Sequence, residues 1–342
     1  MSNRRIIFFK ERKREAARGF KRFLLSKKRR RKLYMPVIHL KKFHQNKLSS
    51  SLSKLKRKSK TIECPPVFSV EKNLKGVIEI LGKIRNIDIL KYNHVKIDLS
   101  KVVDLDITAL VMLLSNINHL AQEEIVISGN TPNDIMARTF FEDSGFLKHM
   151  KTINKRLDGS YSDHGLIINI GKDNYFSNQI AEINSKAVEL LGASRQYFQR
   201  LNSIVGEMGG NTIKYAYKTN KHFLYGFYLH KDYMTFVFAD SGYGILNTLK
   251  KTIGHIIFDK IKNIGDVGVL SGAFDKKYGS RTGEENRNRG LPFIKYNFTE
   301  GIISELQCIT NNVVLDFEDY SKSIKLKDNF SGTVYVWKIN RK

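Results

Sequence analysis

A carboxylate and an amide that could act together stand four residues apart in the segment "VGEMGGNTIKY". Glu207 and Asn211 would share one face of a helix, because positions i and i+4 are neighbours on a helix surface. A carboxylate could orient and deprotonate water, and an amide oxygen is a suitable neutral ligand for Mg²⁺. Gly209 and Gly210 lie between them, and each should cost roughly 1 kcal/mol against alanine in a helix interior. The pattern predicts that another group approaches this backbone closely.

A second candidate is the segment "FVFADSGYGI", in which an aspartate ends an apolar run and two glycines follow. Asp240 differs from an ordinary hairpin acid because apolar residues stand on both sides of the turn. Gly242 and Gly244 would let the backbone pass close to a bound group. The segment predicts a ligand beneath the backbone, and the alternative is an acid that caps its own turn.

Two shorter fragments complete the candidate set. Arg289, Gly290 and Leu291 open the predicted helix "LPFIKYNF". Gly332 and Thr333 lead into the last predicted strand.

In this order, the four fragments resemble the signature of the GHKL ATPases. That superfamily includes gyrase B, heat-shock protein 90, histidine kinases and the MutL mismatch-repair proteins, which share the Bergerat nucleotide-binding fold. The resemblance covers about residues 172–342 and implies ATP and Mg²⁺ as cofactors.

On the phosphate side, the resemblance implies that Glu207 is the catalytic residue that activates the attacking water and that Asn211 holds Mg²⁺. It implies that Gly290 presents backbone amides to the phosphates, with Arg289 and Leu291 beside it in the cofactor-binding set.

On the base side, the resemblance implies that Asp240 accepts a hydrogen bond from the adenine amino group. Gly242 and Gly244 would let the backbone pass beside the purine, and Thr333 would assist near the base through its hydroxyl or a bound water.

The lid sequence departs from the family pattern. The family commonly has Gly-x-Gly-x-Gly-Leu, whereas this chain has "GEENRNRGLPFIK", with Arg289 where a glycine is usual. Fewer glycines predict a stiffer phosphate loop. Arg287, Arg289 and Lys295 could contact phosphate directly, or they could be solvated lid residues.

An earlier segment, "IDLSKVVDLDITAL", resembles a STAS domain, the fold of anti-sigma-factor antagonists, over roughly residues 65–165. The phosphorylated serine of that family falls at Ile107 in this sequence. Thr108 is either a displaced substitute for that serine or merely the cap of a helix.

The hydrophobic periodicity predicts three regions. A basic arm and linker at 1–60 precede a β-α-β-α domain at 61–171 and a domain of helices and strands at 172–342, which the GHKL resemblance implies is ATP-binding. In the first domain, "TPNDIMARTFFEDSGF" predicts a helix with a threonine cap and a glycine stop. The predicted fold class is therefore α/β and α+β, with 246–289 as a candidate lid. The two resemblances imply that these parts are a STAS-like domain followed by a Bergerat-type α/β sandwich.

Positive charge is concentrated at the start of the chain. Residues 1–60 hold 23 of the 59 Lys and Arg but only 2 acids, whereas the whole 342-residue chain has a net charge of +26. Aromatic residues alternate with these cations, which predicts an arm that binds nucleic acid through phosphate contacts and stacking. The alternatives are a partner-protein site, a solvated tail and a membrane-surface helix.

Three functions remain open from the sequence. The first is an ATP-driven conformational switch that hydrolyses ATP, forms homodimers in some states and alters how the arm engages nucleic acid or a partner protein. The second is a protein serine/threonine kinase of the anti-sigma type, and the third is an ATP sensor without turnover. The two distant cysteines and the lack of a long apolar run predict a cytoplasmic protein without a transmembrane segment.

Overall fold

The computed structural model of the protein describes residues 58–89, 91–122, 125–150, 165–170, 176–215, 223–253, 261–278 and 290–341. Nearly all of the predicted basic arm lies outside these ranges, so its roles stay predictions. Residues Arg57–Lys342 form one compact unit.

The N-terminal part of this unit alternates strands and helices. Its elements are β1 (Ser59–Glu63), β2 (Val67–Phe68), α1 (Val70–Arg85), β3 (His94–Asp98), β4 (Asp104–Leu105), α2 (Ile107–Gln122), β5 (Val126–Gly129) and α3 (Ile135–Asp143), followed by a 3₁₀ turn at Phe146–His149. β1, β3 and β5 form a parallel sheet in that order, and β2 pairs in parallel with β4. The alternation predicted from periodicity is confirmed.

The C-terminal part is built on a five-stranded antiparallel sheet. Its elements are β6 (Gly165–Ile170), α4 (Phe176–Leu191), α5 (Arg195–Tyr215), β7 (Phe223–Leu229), β8 (Tyr233–Asp240), α6 (Ile245–Ile253), α7 (Gly265–Phe274), α8 (Gly290–Thr299), β9 (Ser304–Asp316) and β10 (Ile324–Asn340). The strand order is β6-β7-β8-β10-β9. The described chain is thus mixed α/β, with parallel sheets and one antiparallel sheet.

Several element boundaries differ from the sequence prediction. The predicted hairpin of β7 and β8 is confirmed as an antiparallel pair. The two strands predicted between 301 and 317 are one continuous strand, β9, and β10 begins nine residues before Thr333. Within the candidate lid at 246–289, the described residues form most of α6 and all of α7.

Aspartates cap the two helices for which the sequence offered a threonine, as a prediction in α3 and as one of two alternatives in α2. In α3 the cap is Asp134, whose side chain accepts a hydrogen bond from the Ala137 amide, and not Thr131. In α2 the amide of Ala109 donates to Asp106 at 2.7 Å. A short carboxylate one residue before a helix accepts these orphan amides as readily as a hydroxyl does, so composition alone did not distinguish them.

The antiparallel sheet has a hydrophobic layer on each face. Along β8, Phe236 and Phe238 pack with α4 and α5, whereas Val237 and Ala239 pack with the N-terminal helices α1 and α2. This follows from strand geometry, because successive side chains point to opposite faces of a sheet. The N-terminal part therefore covers the face of the sheet opposite α4 and α5.

The shared core predicts how residues 172–342 would behave as a separate chain. A chain of residues 172–342 would expose Leu224, Val237, Ala239 and Val334, which are buried against the N-terminal part. We expect that chain to aggregate or to unfold without cooperativity, whereas residues 57–342 should give a single sharp transition. Size-exclusion chromatography and thermal unfolding of the two chains test this, and equal cooperativity in both would contradict the shared core.

Candidate functional site

A cavity of about 480 Å³ opens between α5, the β8–α6 turn, the start of α8 and β10. Its size falls in the range of about 300–1,000 Å³ that is usual for small-molecule sites. Eight of the nine residues selected from the sequence line it: Glu207, Asn211, Asp240, Gly242, Gly244, Gly290, Leu291 and Thr333. The ninth, Arg289, lies outside the described residues. Four fragments separated by up to 126 positions therefore meet around one space.

Asp240 lies at the floor of this cavity, at the end of β8. It is 9% exposed. Its Oδ1 accepts a hydrogen bond of 2.7 Å from the Gly242 amide, and its Oδ2 accepts one of 3.3 Å from the Thr212 hydroxyl. The Thr333 amide also donates to this carboxylate. A carboxylate has about four acceptor positions, so three protein donors leave room for one more.

The environment of Asp240 disfavours its charge. Burial raises the pKa of Asp240 from 3.8 to about 6, and the hydrogen bonds from Gly242, Thr212 and Thr333 offset burial only in part. A further donor from a ligand would stabilise the ionised form.

On the phosphate side predicted from the sequence, the start of α8 lies directly against α5. A Cβ added to Gly290 would stand 2.8 Å from Oε2 of Glu207 and 3.0 Å from Nδ2 of Asn211. Only glycine fits there without displacing these two side chains. The first turn of α8 is therefore adjacent to the Glu207 carboxylate and the Asn211 amide.

The Asn211 side chain has a hydrogen-bond donor that is not used within the described part of the chain. Its Nδ2 atom is buried and has no hydrogen-bond partner among the described residues. A buried polar group without a partner costs about 1–3 kcal/mol, which a ligand oxygen could recover. Glu207, by contrast, is exposed.

The glycine pair inside α5 does not serve close protein packing at Gly210. Among the described residues, no atom beyond the neighbouring helix backbone comes within 4 Å of a Cβ added there. Gly210 lines the cavity instead, so no group in the described part of the chain makes the close approach predicted from the sequence at this position.

Lys295, named as a possible phosphate contact, forms an ion pair with Asp275 at 2.5 Å. The pair joins α8 to the turn that follows α7. Arg287 lies outside the described residues.

The sequence did not single out Thr310 and Asn311, yet these two residues of β9 hold the turn after Asp240. The Ile245 amide donates to the Thr310 hydroxyl, and the Leu246 amide donates to Oδ1 of Asn311. They are 65 positions away in the chain, so no local pattern could reveal them. An Asn with φ of +54° inside a strand is a clue that only coordinates supply.

The serine position of the STAS resemblance is closed to solvent. Ile107 and Thr108 are both buried, at the start of α2. Since α2 packs on the sheet face opposite α4 and α5, the sheet separates Thr108 from the cavity.

A scan against models of known protein families matches no family, and a search among curated proteins finds no match. Across the described ranges, no group of three or more His, Cys, Asp and Glu side chains is arranged to hold a metal ion. No helix in the described part of the chain is both long and apolar enough to cross a membrane.

The pKa of Asp240 predicts a specific pH dependence of stability. Between about pH 4 and pH 6 the native state keeps a proton that the unfolded chain has lost, so stability falls as pH rises through this window. Above about pH 6 the full cost, about 3 kcal/mol, is present. Asp240→Asn removes this ionisation. Urea unfolding of both proteins at pH 4–8 should show the wild type losing about 3 kcal/mol relative to the variant, and a pH-independent difference would contradict the burial of this charge.

Gly332 predicts a large penalty for one added methyl group. Its φ is +102°, and a Cβ there would collide with the backbone carbonyl of Asp240. Gly301 is the matched control, with φ of +68° and no atom of the described residues within 4 Å of an added Cβ. Gly301→Ala should cost about 1–2 kcal/mol from backbone conformation alone. Gly332→Ala should exceed it by at least about 2 kcal/mol, as chemical denaturation would measure, and equal costs would refute the close contact.

Proposed function

We propose that the protein binds ATP in the cavity beneath the β8–α6 turn and hydrolyses it with Mg²⁺, as a conformational switch. In this proposal the C-terminal part is a Bergerat-type fold of the GHKL kind, and the N-terminal part is STAS-like. The observation that carries the proposal is the convergence of Glu207, Asn211, Asp240 and Thr333 on one cavity.

The base side of the cavity has the chemistry that an adenine ring requires. The carboxylate of Asp240 retains an acceptor position for the adenine amino group after its three protein donors are counted. Gly242, in the tight turn, donates to that carboxylate and keeps the backbone close to the base.

The phosphate side fits Mg²⁺ and a triphosphate. Asn211 would hold the ion, which prefers oxygen donors and usually keeps several waters, so a single protein ligand suffices. Bound Mg²⁺ would neutralise phosphate charge. The unpartnered Nδ2 of Asn211 supports this assignment, because a phosphate or water oxygen would satisfy it.

Glu207 would orient and deprotonate the attacking water. Its carboxylate lies beside Gly290, where the amides of the first turn of α8 would face the phosphates. Phosphoryl transfer needs little covalent help from a protein, so positioning of water and charge accounts for the activity.

The burial of Thr108 behind the sheet argues against kinase action on the chain's own STAS-like part. A separate substrate protein is the remaining form of the kinase alternative, and a sensor without turnover is the other. Control of nucleic-acid or partner-protein binding by the arm belongs to residues outside those described, and it remains part of the proposal, as does homodimerisation.

Incubation with γ-labelled ATP tests the proposal. We expect release of free phosphate that needs Mg²⁺, and Glu207→Gln should slow it by about 10²-fold or more while nucleotide still binds. The matched control is Glu189→Gln, an exposed acid at the end of α4, which should leave the rate unchanged.

The label distinguishes the alternatives. Transfer of the label to an added protein, in a manner that depends on Glu207, would show that the protein is a kinase and not a hydrolase. Nucleotide binding without release or transfer would leave only the sensor. No nucleotide binding at all would overturn the proposal.

A further inference from the structure

We propose that Thr310 and Asn311 of β9 are positioning residues for the base side of the nucleotide site. They set the conformation of the turn from Asp240 to Leu246 without touching the nucleotide. The inference rests on the proposed function.

Thr310 joins the two backbone segments that frame the base side. Its hydroxyl accepts a hydrogen bond of 2.9 Å from the Ile245 amide and donates one of 2.9 Å to the Gly332 carbonyl. The same hydroxyl lies 3.3 Å from that of Thr333. One buried hydroxyl therefore connects the turn after β8 to the strand that carries Thr333.

Asn311 holds the other side of the turn. Its Oδ1 accepts a hydrogen bond of 3.0 Å from the Leu246 amide, and its Nδ2 donates one of 2.9 Å to the Tyr243 carbonyl. Both polar atoms of the amide are thus committed to the turn backbone.

These contacts replace the usual cap of α6. The residue before the helix is Gly244, whose carbonyl accepts the first helical hydrogen bond from Thr248, and which has no side chain to cap the free amides. A Cβ on Gly244 would lie 2.7 Å from Cγ of Asn311, so the cap from β9 and a side chain at Gly244 exclude each other. The lack of a side chain at Gly244 thus leaves the space that the Asn311 side chain occupies.

The backbone of β9 and β10 is irregular at this point. Asn311 has φ of +54°, a conformation that costs most residues about 1–2 kcal/mol and that Asn tolerates better than most. The strand register shifts between the pairs Phe330–Asn311 and Thr333–Thr310, which places Ser331 and Gly332 in a bulge. Bulges commonly lie beside functional sites, where they redirect a side chain.

Contacts at both ends hold the turn in the conformation that would meet the base. Asp240 fixes one end through the Gly242 amide, and β9 fixes the other through Tyr243, Ile245 and Leu246. Removal of the Thr310 hydroxyl leaves the Ile245 amide without its partner, and the turn can relax away from the geometry that suits the base.

The experiment compares four single variants by calorimetric titration of ADP into the full chain. Thr310→Val removes the hydroxyl at nearly constant volume, and Thr310→Ser keeps it. Thr235→Val is the matched control, because Thr235 is a buried threonine of β8 whose hydroxyl contacts His230 instead of the turn. Thermal unfolding of each variant reports stability separately.

We expect Thr310→Val to weaken ADP binding about tenfold, with Thr310→Ser within about threefold of wild type. The loss should be the same with Mg²⁺ and with a chelator, because the base side changes and the phosphate side does not. Thr235→Val should bind like wild type even where its melting temperature falls. Asn311→Asp, which puts a carboxylate oxygen against the Tyr243 carbonyl, should weaken binding as Thr310→Val does, and it keeps the test open if Thr310→Val does not fold.

The outcomes separate this inference from the proposed function. Wild-type protein that does not bind ADP or ATP overturns the proposed function and the inference with it. Wild-type binding that Thr310→Val and Asn311→Asp leave unchanged overturns the inference alone. An equal loss in Thr235→Val also overturns it, because general destabilisation would then explain the effect.

Discussion

The site depends on one buried carboxylate. Asp240 ends β8 inside the protein, where burial disfavours its charge and three donors from the turn, α5 and β10 offset that cost in part. Each donor comes from a different segment, so these segments must stay together for the acid to be tolerated. In the proposed function, a ligand that donates to the remaining acceptor position would offset this cost.

The surrounding structure holds that carboxylate between two packed layers. On one face of the sheet, β8 and β10 contribute aromatic residues that pack under α4 and α5. On the other face, alternate residues of the same strands contact α1 and α2. Ala239 and Asp240 are adjacent in β8 but belong to opposite layers, so a change at the cavity lies one residue from the N-terminal part. In the proposed switch, this proximity would let a change at the cavity reach the N-terminal part.

The sequence predicted those site residues that a pattern within one helix, turn or strand identifies. The apolar run before Asp240, the i, i+4 spacing of Glu207 and Asn211 and the glycine before Thr333 each belong to one element. The four polar residues that these patterns identified, Glu207, Asn211, Asp240 and Thr333, all line the cavity. The sequence did not predict what depends on distant segments. Thr310 and Asn311 act on a turn 65 positions away, and Asp106 accepts a hydrogen bond from Ser69, 37 positions earlier. The predicted boundary at 171/172 follows a change in periodicity, but the strands near it contribute to a core that both sides share.

The most direct test of the central claim is a calorimetric titration of ATP with Mg²⁺ into the full chain and into its Asp240→Ala variant at pH 8, where the acid is ionised. The account predicts saturable binding at one site per chain for the wild type and loss of binding in a variant that still unfolds cooperatively. Equal binding of ATP by the two proteins, or no binding by the wild type, would contradict it.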